Sequence, residues 1–93
     1  MKVYIIIKST MNGKEPVYKA FVDKRVAKFY CDDNSEEYVT FEFKEVESEP
    51  ISNNRVIVDN NVYALDKDTT YENYVIQRIK KKLTKEELQV LGL

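Results

Sequence analysis

Carboxylates are the side chains in this sequence best suited to chemistry. Between residues 31 and 50 stand Asp32, Asp33, Glu36, Glu37, Glu42, Glu45, Glu47 and Glu49 against a single cation, Lys44. Two carboxylates can share acid and base roles, and clustered carboxylates can hold a hard cation. The spacing here lacks the regular oxygen-ligand pattern of a calcium loop, so no metal site is expected. The stretch reads as a solvated loop followed by the outer face of a strand. Its functional reading is an acidic surface, with Glu42, Glu45 and Glu47 as contact residues, that meets a basic partner or imitates nucleic-acid phosphates.

The opposite charge gathers near the other end of the chain, in Arg78, Lys80, Lys81, Lys82 and Lys85. At 100° per residue Tyr74, Arg78, Lys81 and Lys85 form one helical stripe, opposite Val75, Ile79 and Leu83. A cationic stripe with a tyrosine in it suits an acidic protein or a phosphate backbone. Lysines in the second half of a helix are also favoured simply by the helix dipole. The acidic and basic regions together permit a homodimer, one copy's acid against the other's base.

Covalent chemistry has little to work with. The chain has no histidine, which removes the commonest general base and transition-metal ligand. Cys31 has no such base beside it, and a position near a helix C-terminus disfavours the thiolate. It reads as a small structural hydrophobe. Two isolated glycines, Gly13 and Gly92, cannot build a phosphate-cradling loop. No cofactor and no enzymatic activity are expected. The seven tyrosines fit either a binding surface or the rim of a core.

The elements that must carry these residues start with Lys2-Val3-Tyr4-Ile5-Ile6-Ile7-Lys8. Five apolar residues in a row leave neither face of a strand polar, which predicts a strand covered on both sides. Ser9 to Pro16 reads as a loop around the Asn12-Gly13 turn signal, and Val17 to Val22 as an antiparallel second strand. Asp23 is placed to cap a helix from Lys24 to about Cys31, with Val26, Phe29 and Tyr30 on its inner side beside Ala27. Tyr38 to Glu47 alternates, Val39, Phe41 and Phe43 inward. Ser48 to Asn54 reads as a loop. Arg55–Val58 and Val62–Leu65 flank Asp59-Asn60-Asn61, a tight-hairpin signal because asparagine tolerates positive φ. Asp66 to Thr70 leads into a helix in which Tyr71, Val75, Ile79 and Leu83 recur every four residues, with Ile76 alongside. Thr84 and Glu87 form a capping box for a last helix, Lys85 to Leu91, ended by Gly92.

The expected architecture is one α+β domain over residues 1–93. It is a mostly antiparallel sheet of about five strands, with a short helix after strand 2 and C-terminal helices, in the order β-β-α-β-β-β-α-α. Ninety-three residues, 43% of them apolar, suffice for one modest core. A net charge of −1 points neither to nucleic acid nor to a strongly basic partner. A single cysteine, no signal-peptide pattern and no long apolar run together predict a reducing, cytoplasmic setting with no membrane contact.

Lys2 to Ile7, Val17 to Phe21, and Ala27 with Tyr30-Cys31 resemble a pattern of small phage and prophage accessory proteins. In it a β-hairpin ending in phenylalanine leads into a short helix with an Ala-x-x-Tyr core. The closing Leu83 to Leu88 and Leu91-Gly92-Leu93 are similar to the tails of such proteins. The resemblance implies a small protein that binds and blocks or modulates a host factor, working in the host cytoplasm, with no catalytic residues to transfer. The leading expectation is therefore a non-enzymatic protein-binding module. The alternative is nucleic-acid binding through the basic C-terminal helix.

Overall fold

The computed structural model describes residues 1–67 and 69–92. Asp68, in the expected lead-in to the last helices, and Leu93, in the closing segment, lie outside the described residues. The chain is α+β. Its strands are β1 (Lys2–Thr10), β2 (Gly13–Phe21), β3 (Thr40–Glu47), β4 (Glu49–Ser52), β5 (Arg55–Val58) and β6 (Asn61–Asp66). Its helices are α1 (Lys24–Asn34), α2 (Tyr71–Lys82) and α3 (Lys85–Leu91). The strands form one sheet in the order β3-β1-β2-β6-β5-β4. Every pairing is antiparallel except β2 with β6, where Lys19, Ala20 and Phe21 run parallel to Ala64, Leu65 and Asp66.

The two ends of that order are neighbours in the chain. β3 ends at Glu47 and β4 starts at Glu49, with Ser48 alone between them. In a flat sheet the two outer strands of six would stand about 24 Å apart. Two peptide links span at most about 7 Å. The sheet therefore rolls back on itself, and Ser48 is the corner. It is buried, and both its amide and its Oγ donate to Met1 O at 2.8 Å.

Rolling gives β1 an interior on each side, as its unbroken apolar run requires. Inside the roll Val3 and Ile5 pack with Ala20, Val56, Val58, Tyr63 and Leu65, with Val46 at the margin. On the outside Ile6 and Phe21 lie under Val26, Ala27 and Cys31 of α1, bordered by Tyr4, Tyr30, Phe41 and Phe43. Ile7 is half-buried.

The bend has a local device in β2. Ile5 pairs with Ala20 but Ile7 pairs with Pro16, so the register slips between them. Tyr18 sits in the slip with φ +61°, a left-handed conformation costing a non-glycine residue about 1–2 kcal/mol. Such bulges bend a strand and raise its twist. Beyond the bulge β2 keeps β1 on one edge and takes β6 on the other.

Several expectations need correction. The sheet has six strands rather than about five, because Glu49–Ser52 is a short strand β4. Its Pro50 and Asn53-Asn54 gave it the look of a loop, but an outermost strand tolerates proline. The first hairpin is tight: β1 runs to Thr10 and β2 starts at Gly13, whose φ of +116° suits glycine alone. α1 continues past Cys31 to Asn34, and Phe29 turns from the sheet toward α2. β3 starts at Thr40, leaving Tyr38 outside it and exposed. The β5–β6 hairpin turns on Asp59 (φ +49°) and Asn60 (φ +67°), and Asn61 already pairs with Val58.

Candidate protein-binding surface

α2 begins where Thr70 accepts a hydrogen bond from the Asn73 amide at 3.1 Å. Glu72 in its first turn and Lys80, Lys81 and Lys82 in its last complement the helix dipole. The helix stops at Leu83. Thr84 and Glu87 exchange hydrogen bonds with each other's backbone amides at 3.1 and 3.0 Å, the capping box that opens α3. Gly92, at φ +72°, closes it.

The side of α2 that touches the body is aromatic. Tyr71 and Tyr74 meet the Phe29 ring edge-on, at centroid distances of 6.0 and 5.2 Å. The Arg78 guanidinium lies 4.7 Å from the Phe29 centroid, and its Nε is 3.0 Å from Asp33 Oδ1. Arg25 of α1 covers the Tyr71 ring at 4.9 Å. Burial pushes the Tyr74 hydroxyl above its ordinary pKa, and Asp33 adds to the shift.

The residues expected to form one outward basic stripe are thus divided. Tyr74 and Arg78 are half-buried in the α1–α2 joint. Lys81 is exposed at its margin, beside a small cleft it shares with Asp33, Tyr74, Gln77 and Arg78. Lys85 is exposed on a different helix. The acidic residues are divided as well. In β3, Phe41 and Phe43 face α1 and Val46 faces into the roll. Glu45 and Glu47 therefore share the α1 side while Glu42 takes the other. Glu42 is paired with Lys14 at 2.9 Å. Glu45 accepts from the Tyr4 hydroxyl at 3.2 Å and lies 3.9 Å from Lys2 Nζ. Glu47 lies 3.4 Å from the Met1 ammonium.

Away from that joint α2 exposes two aliphatic side chains among its polar ones. Ile76 and Ile79 are 41% and 45% exposed, and neither α2 nor α3 contains a buried residue. Ile76, Ile79 and the half-buried Leu83 lie about 140° around the helix from the face held by α1. On α3, Val90 and Leu91 are more exposed still. The four-residue repeat Tyr71, Val75, Ile79, Leu83 concealed this arrangement. Steps of four drift 40° each, so Tyr71 and Leu83 end on different faces. The signal that finds the seam is the 4-3-4 spacing Glu72, Ile76, Ile79, Leu83, which stays on one line.

The polar recess between α1 and α2 holds groups already committed to one another. A cleft of about 210 Å³ lies where α1 and α2 begin, next to Asp23, Arg25, Asp66, Thr69 and Thr70. Asp23 caps α1 and binds the Arg25 guanidinium at 3.1 Å. Asp66 accepts from the Thr69 amide and hydroxyl at 3.0 and 2.8 Å. Burial pushes the Cys31 thiol up to about 11, with Asp32 and Glu42 contributing. Among the described residues no cluster of His, Cys, Asp or Glu is placed to hold a metal ion, and no helix is long and apolar enough to cross a membrane.

No family model matches the chain, and neither a curated protein nor a solved structure does.

Proposed function

We propose that this chain is a non-enzymatic binding protein that works by laying its C-terminal arm, α2 with α3, on another protein. The observation that carries the reading is the aliphatic seam: a docked helix normally turns its apolar side to the core, and here Ile76 and Ile79 point away from it. Each half-exposed isoleucine removed from water contributes about 1 kcal/mol to association. Lys80 and Lys82 flank the seam as exposed cations and favour a partner with acidic groups at the rim. The resemblance to phage accessory proteins adds the expectation that the partner is a host factor and that binding blocks or modulates it.

The test is a matched pair of immobilised baits, wild type and the Ile76→Ser/Ile79→Ser variant, in a lysate of the native cell. Both should have the same far-ultraviolet spectrum and the same melting temperature, because neither side chain is buried. A protein held by wild type, displaced by excess free wild type and lost with the variant supports the reading. Equal retention by both baits sinks it. The nucleic-acid alternative draws on the exposed Lys80, Lys81, Lys82 and Lys85. It requires a gel shift that weakens steeply with salt; no shift at low salt eliminates it.

A further inference from the structure

We infer that the occupant of the α2 seam is a second copy of this chain, packed antiparallel about a twofold axis passing between Ile76 and Ile79. The inference rests on the reading of the arm as a docking element and adds a second copy as the seam's occupant when no foreign partner is bound.

The spacing comes first. Glu72, Ile76, Ile79 and Leu83 fall at alternating steps of four and three, the repeat by which two helices keep one seam in contact. The α1 joint, built from Tyr71, Tyr74 and Arg78, occupies a different side of the helix. A second helix can therefore lie on the seam without displacing α1.

Charge then selects both the partner and the direction. The seam carries one carboxylate, Glu72, near its start, and two lysines, Lys80 and Lys82, flank its end. In an antiparallel pair Ile76 of each copy meets Ile79 of the other. Glu72 then lies over the other copy's Leu83, within reach of its Lys80 and Lys82. The twofold axis repeats this at the far end. A parallel pair would set Glu72 on Glu72 and lysine on lysine, which costs stability at both ends. A negatively charged membrane surface would suit the lysines but would repel Glu72 from the middle of the apolar line.

The size of the contact sets its strength. Twelve helical residues extend about 18 Å, so the interface falls in the small class typical of transient pairs. The dimer should form at high micromolar concentration and dissociate on dilution.

Sedimentation equilibrium of the full chain from about 5 to 500 μM tests this. The expected result is a mass rising from 11.0 kDa toward twice that value. Ile79→Ser should abolish the rise, and Glu72→Lys should weaken association at least tenfold. Lys80→Glu/Lys82→Glu should do the same. Mixing the Glu72→Lys chain with the Lys80→Glu/Lys82→Glu chain should restore a dimer, with circular dichroism confirming that both retain α2. A constant 11.0 kDa mass overturns the proposal, and binding of that monomer to phosphatidylserine vesicles would replace it with a membrane contact. A mass rise unaffected by Ile79→Ser also overturns it, since the contact would lie elsewhere. Neither result touches the lysate experiment above, in which a foreign protein lost with the seam variant would still support the broader reading.

Discussion

Arg78 holds α2 to α1 through two contacts on the same helix, an ion pair with Asp33 at 3.0 Å and a stack over Phe29 at 4.7 Å. The Nε atom is itself buried yet makes no hydrogen bond, so its attraction to Asp33 is coulombic and not directional. Both side chains keep about a third of their surface in water, 34% for Arg78 and 32% for Asp33. Solvent screens such a pair, and its strength should be about 0.5–1 kcal/mol, with the stack adding a similar amount. A double-mutant cycle of Arg78→Ala and Asp33→Ala should show positive coupling of that size. Because α2 buries no residue, the loss should appear as faster amide exchange in Tyr74 to Gln77 while the melting temperature hardly moves. Equal exchange in all four proteins of the cycle would refute the role given to Arg78.

At Tyr18 the usual ranking of alanine over glycine should invert. In an ordinary strand glycine is the worse substitute. At φ +61° alanine retains the steric penalty and glycine escapes it. Both lose the contact with Tyr63, whose ring centroid is 5.4 Å away. Tyr18→Gly should therefore be more stable than Tyr18→Ala by about 1 kcal/mol. Urea denaturation of the two variants decides this, and the ordinary order would show that the bulge relaxes to negative φ.

Asp23 makes stability depend on acid. The hydrogen bond from the Arg25 side chain, aided by backbone amides of Arg25 and Val26, holds its carboxyl below the ordinary value of 3.8, although burial opposes this. A group with a depressed folded pKa stabilises fully above its unfolded value and loses that contribution as pH falls through the folded one. Asp23→Asn keeps a good cap but removes the titration. Wild type should melt higher at pH 7, and the two melting curves should converge as pH drops from about 4 to 2. Parallel curves over that range would mean that the Asp23 charge contributes nothing.

The Cys31 thiol should be nearly inert in the folded protein. It is 4% exposed and its pKa is pushed up to about 11. At pH 8 only about one molecule in a thousand carries the thiolate that reacts. Ellman's reagent should react more than a hundredfold faster in 6 M guanidinium than in buffer. Rapid reaction of the folded chain would contradict the packing of Cys31 against Ile6 and Phe21.

The features readable from sequence are those decided within a few residues. The unbroken Val3–Ile7 run required cover on both faces, and the structure supplies it from α1 and from the sheet itself. Asp23, the Thr84–Glu87 box and Gly92 follow from local hydrogen bonding and φ preferences and occupy their expected places, and the Asp59-Asn60 turn falls one residue short of its expected span. The roll does not show in the sequence, because Ser48 looks like any loop serine until the strand order makes β3 and β4 the two margins. The parallel β2–β6 pairing joins distant segments and leaves no short-range mark. At the candidate surface, charge directed attention to Tyr74 and Arg78, but Phe29 and Asp33 on α1 hold both of them inward. Which side of an amphipathic helix docks depends on the neighbour it finds, and that neighbour is not written in the helix.

The parallel ladder between Lys19–Phe21 and Ala64–Asp66 also bears on the order of folding. Its strands are remote in sequence, so closing the loop between them costs more entropy than forming any of the three hairpins. The hairpins should be in place at the rate-limiting barrier, with this ladder zipped only afterwards. Truncating Leu65 should accordingly speed unfolding and leave the refolding rate almost untouched, whereas truncating Ile6 should slow refolding.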